Sequence, residues 1–229
     1  MFSRVIASML AHHCRLSSAL ALLVVLVLSA PARAAFLVEA YDSAFDITSM
    51  AQAEALMQGS ATALGWYDTI NFNDVFRFDG HYSAANGYAN APFPGGLSET
   101  FALRATSTLL VATSGYYTFG FDSDDGAILR IGGLDTVSDP ALHGRRTTLA
   151  STWLDAGAHA LELVYYENHS TATIELFAAA GTHTSFSFAN FGLLGAPDAP
   201  GNLSTLVPLP PSAALLALAA LPLLLRRRG

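Results

Sequence analysis

Two adjacent carboxylates, Asp124 and Asp125, sit in the run Ser123-Asp124-Asp125-Gly126 between two segments that alternate in polarity. Neighbouring acids repel each other unless a cation or hydrogen-bond donors neutralise them, so this tip either faces water or seats a metal. Before it, Tyr117, Phe119 and Phe121 alternate with Tyr116, Thr118 and Asp122; after it, Ala127, Leu129 and Ile131 alternate with Ile128 and Arg130. That is the period of half-buried strands, and the spacing predicts a hairpin with the acids at its apex. Other reactive patterns are missing. The chain has no Gly-x-Ser-x-Gly elbow and no His-Glu-x-x-His, and its single cysteine, Cys14, lies near the N-terminus. Glu162, Glu167 and Glu175 fall on strand-like segments without an evident partner, and His81, His159, His169 and His183 lack zinc spacing and read as surface residues. No catalytic residue is assigned.

The elements that must carry the acids follow from periodicity. Phe36 to Ala40 reads as an opening strand. Ser49 with Gln52 three residues later forms a capping-box pattern ahead of the apolar Ala53, Leu56 and Met57, with Gly59 to close one short helix. Asn71 to Gly96 is rich in Gly, Asn, Pro and aromatics and reads as a surface excursion of long turns. Strands are expected over 100–112, 115–122, 127–131, 159–167 and 171–178, with a last one at 185–191; Gly192 to Leu206 has a linker's composition. Many short strands with one helix give an all-β, antiparallel β-sandwich of jelly-roll type.

Both ends read as addresses. Arg4 and Arg15 precede a 15-residue apolar run, Leu16 to Ala30, and then Pro31-Ala32-Arg33-Ala34. The pattern predicts a cleavable signal peptide over 1–34, in preference to an N-terminal membrane anchor, which would need about 20 apolar residues; export is the expectation that follows. At the other end Val207-Pro208-Leu209-Pro210 leads into a short apolar stretch and Arg226-Arg227-Arg228. Fourteen helical residues reach about 21 Å, short of a bilayer core of roughly 30 Å. Between these ends, from residue 35 to 206, eighteen acids stand against five arginines, and no lysine occurs, a net charge of −13. Such a charge argues against nucleic acid, whose phosphates need basic contacts, and suits cations or neutral ligands.

Two resemblances follow from these residues. The tail 207–229 resembles the PEP-CTERM sorting signal of Gram-negative exopolysaccharide producers, in a VPLP variant. That implies transient membrane retention through the tail, processing by an exosortase-type protease, and a final place at the cell surface or in the extracellular matrix. The run SGYYTFGFDSDDGAILRIGG, followed by LDAGAHALELVYYENHSTATIELF, resembles the fourteen-kilodalton domain first named in protective antigen and found in flocculins and adhesins. The resemblance covers 99–178 and implies a β-sandwich with a calcium-dependent sugar site. In the adhesin branch, two adjacent Asp joined by a cis peptide hold the ion with an Asn from a second loop. Asp124 and Asp125 occupy the paired position, and Asn168 is the candidate for the second loop. Calcium takes six to eight oxygen ligands, so a shallow seat leaves positions that vicinal sugar hydroxyls can fill. Tyr82, Tyr88 and Phe93, and less readily Trp66, would supply rings to stack on the sugar; the other reading of these aromatics is hydrophobic cover for the sandwich.

The expected organisation is a signal peptide at 1–34, a sandwich at 35–191, a linker at 192–206 and a sorting tail at 207–229. The expected function is noncatalytic, calcium-dependent binding of carbohydrate or exopolysaccharide. A structural matrix protein without a metal, and a small glycan-active enzyme, are the alternatives.

Overall fold

The computed structural model describes residues 36–74, 80–197 and 199–206. The expected signal peptide and sorting tail lie outside the described residues. Within them, two antiparallel sheets face each other across an apolar core. The larger sheet runs β2 (Ala63–Tyr67), β1 (Phe36–Asp42), β4 (Phe101–Val111), β9 (Gly157–Glu167), β6 (Ala127–Ile131), β7 (Leu134–Asp139). The smaller runs β11 (Gly192–Leu193), β10 (Thr173–Ala180), β5 (Gly115–Asp124), β8 (Arg146–Leu154), with the short β3 (Asn71–Asn73) also on β10. A last strand, β12 (Leu203–Leu206), shares one side of β4 with β1: Leu37 faces Thr106 and Leu206 faces Thr108.

The core is built by alternation. Tyr117, Phe119 and Phe121 of β5 point inward to meet Leu103, Leu129, Leu163 and Tyr165 of the larger sheet, all buried. The one α-helix among the described residues, α1 (Met50–Leu56), starts at Ser49, whose extended backbone and hydroxyl receive the Gln52 N–H. The Gln52 side chain reaches back one residue further than a standard capping box, to the Thr48 N–H at 2.8 Å. The helix lays Met50 and Ala53 over Tyr41, Ile128, Val164 and Tyr166, covering the outer face of the larger sheet. Among the described residues, no helix is long and apolar enough to cross a membrane.

Several expectations change. The Asp124-Asp125 turn does not close a hairpin. β5 bonds to β8 and β10 while β6 bonds to β7 and β9, so the turn crosses from one sheet to the other. Period two could not reveal this, since both strands present an inward apolar face either way. No strand forms over 185–191. Phe186 and Phe191 instead pack with Phe177 and Tyr82 on the outer face of the smaller sheet. The stretch 192–206 is no linker, because β11 and β12 both join the sandwich and Leu203 and Leu194 enter its core. The excursion 71–96 is only partly superficial. It contributes β3, and it buries Phe72, Tyr82 and Phe93.

Candidate functional site

The site grows from the crossing between sheets. Gly126 follows the two acids, and a Cβ there would lie 2.6 Å from the Tyr166 ring and about 3 Å from the Pro140 and Ala141 carbonyls, so only glycine permits this close passage. The Asp124-Asp125 peptide is cis. Both side chains are buried rather than splayed into water. β9 ends beside them and delivers Glu167, fully buried, then Asn168 in the turn. One oxygen from each of Asp124, Asp125 and Glu167 lies within 4.8 Å of the others. Among the described residues no other trio of His, Cys, Asp or Glu draws together in this way.

Donors around the trio orient it without neutralising it. Asp125 accepts the His143 N–H on one oxygen at 2.9 Å and the Asn168 N–H on the other at 3.0 Å. Asp124 accepts the Thr171 hydroxyl at 3.0 Å, and its carbonyl accepts the Tyr165 hydroxyl. Tyr165 Oη also stands 3.2 Å from Glu167. Two acceptors are left over: Glu167 Oε1 and Asn168 Oδ1 are buried and accept no hydrogen bond. Burial, joined by the charges of Asp125 and Asp124, pushes the Glu167 carboxyl up to about 10. Burial also raises Asp124, with the Asp125 charge adding to it. Three carboxylates packed this closely cannot all ionise without a countercharge, and the buried, unpartnered oxygens are the atoms that a hard cation would take. The donor set is all oxygen, which fits calcium and excludes a soft metal.

The structure thus brings Asp124, Asp125 and Asn168 to one place and adds Glu167 and Thr171. Neither addition was singled out from sequence. The available signal for Glu167 was its place immediately before Asn168, at the end of a strand whose partner register brings it to the acids. The aromatics separate from the site. Tyr82 and Phe93 are buried and offer no face to a sugar. Phe93 stacks on Tyr165 at 5.8 Å and so props the ring that holds the Asp124 carbonyl. Tyr82 donates to the Phe191 carbonyl. Tyr88 is half-buried and pairs with Phe188 on the outer face of the smaller sheet, and Trp66 is exposed on β2. Arg145 and Arg146 are paired with Asp122 and Asp139. The His143 side chain is buried beside Asp139, and His81 stacks on Phe186 at 3.7 Å, so these two histidines are packing residues as much as surface ones.

The family model described as the PA14 domain matches residues 69–189, and the chain belongs to that family. No curated protein matches the sequence significantly. Among solved structures, the PA14 domain of the MpAFP antifreeze protein aligns with a TM-score of 0.54 at 15% identity, covering 74% of this chain and 89% of that one. The PA14 sugar-binding domain from an RTX adhesin aligns with a TM-score of 0.52 at 17% identity, covering 70% and 94%. At such identities the likeness establishes the fold.

Proposed function

We propose that this chain is an exported, surface-associated protein that binds carbohydrate noncatalytically through calcium at the inter-sheet crossing. The observation that carries this reading is the buried carboxylate trio, with a buried, unpartnered oxygen on Glu167 and another on Asn168, whose backbone N–H bonds Asp125. Asp124, Asp125, Glu167 and Asn168 would hold the ion, and the ion would offer its remaining coordination positions to vicinal sugar hydroxyls. Thr171, His143 and Tyr165 keep the ligands in place: each donates to an oxygen of Asp124 or Asp125, which fixes the carboxylates before a ligand arrives. One structural neighbour is a sugar-binding domain from an adhesin, and this supports the same ligand class. The terminal segments support export and tail-directed sorting to the surface of a Gram-negative cell.

Calorimetric titration of the full chain with calcium, and glycan-array binding with and without chelator, test the proposal. Saturable calcium uptake lost in Asp125→Asn, with glycan signal lost on chelation, is the expected pair of results. A wild-type chain that takes up no calcium, or whose glycan signal ignores the chelator, refutes it.

A further inference from the structure

At the end of β5 away from the acids, a groove of about 490 Å³ lies where the edge strands β7 and β8 of the two sheets meet. Leu134, Asp135 and Thr136 form one wall, and Thr152, Trp153 and Asp155 the other. This volume is in the range of small-ligand clefts, roughly 300–1,000 Å³. Among the described residues, each of these edge strands is hydrogen-bonded to a neighbouring strand on one side only.

The aromatic groups here are exposed and held. Trp153 is 53% exposed and Tyr116 57%, and their rings meet edge to face at 5.3 Å across the β5–β8 pair. The indole N–H donates to Asp155 Oδ1 at 3.2 Å, and His159 Nε2 lies 2.8 Å from the Asp155 carbonyl, so the turn after β8 fixes ring, carboxylate and imidazole together. Asp135, which also lines the groove, accepts the Arg130 Nε–H on Oδ1 at 2.8 Å. A flat apolar ring flanked by carboxylates, hydroxyls and an imidazole complements a molecule with a C–H face and a rim of hydroxyls. The net charge of −13 over residues 35–206 disfavours an anionic polymer.

We infer that this groove is a second carbohydrate site, independent of calcium, that takes a neutral saccharide strand with Trp153 as its stacking platform. The inference shares only its ligand class with the proposed function. Eight residues of β5 separate Tyr116 from Asp124, a span of roughly 25 Å, so the two sites would engage different stretches of polymer.

The test uses the full chain with Trp66→Phe, which leaves Trp153 as the sole tryptophan. Its emission is titrated in chelator with cellohexaose, maltohexaose and mannohexaose. A saturable change with at least one of them is expected, with half-saturation raised about tenfold by Tyr116→Ala and by Asp155→Asn, and unmoved by Asp125→Asn. Emission that responds to none of the three, or a response abolished by Asp125→Asn, overturns the inference. So does sedimentation as a dimer that Trp153→Ala dissociates, which would place a second copy in the groove. Loss of calcium-dependent binding alone, with the chelator-resistant response intact, counts against the proposed function and supports this site.

Discussion

Glu175 offers a measurement of how the fold handles a buried charge away from the crossing. It lies wholly buried on β10 opposite Asp122 and accepts the backbone N–H groups of His81 and Tyr82, which fastens the excursion to the sheet. Gly80 makes that approach possible, since a Cβ there would fall 2.1 Å from the carboxylate. Burial, with the Asp122 charge adding to it, pushes the Glu175 carboxyl up to about 8, while in the unfolded chain it titrates near 4.5. The folded state therefore binds a proton that the unfolded state releases. The resulting stability is complete below the unfolded pKa, declines as pH rises toward 8 and is gone above it. At 1.36 kcal/mol per pH unit the decline is roughly 2 kcal/mol between pH 4.5 and 6, with a ceiling of about 5 kcal/mol by pH 8. Glu175→Gln keeps the side chain's size and cannot titrate. Urea denaturation of both chains from pH 5 to 9, followed by near-ultraviolet circular dichroism, gives two stability profiles. A constant offset reflects the altered backbone bonds; the slope of the difference reports the proton. A difference that stays flat to within about 0.5 kcal/mol across pH 5–8 refutes the reasoning.

Glu167→Gln removes one carboxylate of the trio. Calorimetry should show calcium affinity reduced about tenfold or more, while the calcium-free chain melts no lower than wild type at neutral pH, because the Glu167 carboxyl, pushed up to about 10, is already neutral there and Gln replaces it with a neutral group of the same size. Gly126→Ala forces a methyl group into the Tyr166 ring and two carbonyls, and should cost about 1–3 kcal/mol in denaturant unfolding as well as weaken calcium uptake. Leu203→Ala should lower stability by about 2–3 kcal/mol, because β12 closes the core; a neutral result would mean that residues 203–206 are a tether after all.

The sandwich was legible because its inner strands obey period two strictly. Leu161, Leu163 and Tyr165 are core on β9 just as their spacing implies, and Ala127 to Ile131 is a strand with the expected limits. Edge strands were not legible. β2, β7 and β8 are exposed along much of their length, so Leu64, Trp66 and Trp153 break the alternation that burial would impose. The Asp pair announced itself through the electrostatic cost of two neighbouring acids. Glu167 did not, because its role depends on the β4–β9–β6 register, which places the end of β9 beside a turn 42 residues earlier in the chain. The aromatic excursion misled for a related reason: composition marks a loop, but whether its rings face water depends on the bare sheet beneath, and Phe177 recruits Tyr82 into a second, outer cluster.

The shared flank of β4 has a mechanical meaning. Because Leu37 and Leu206 face Thr106 and Thr108, the points where the sandwich is entered and left are next-door neighbours at mid-strand. A pull applied through those two points would run across a few rungs of the β1–β4 and β12–β4 ladders on one flank of β4 and bypass both ends of the sandwich, where the acids and the Trp153 groove lie. The same adjacency would let a short splice from 206 to 36 re-open the chain elsewhere as a circular permutant.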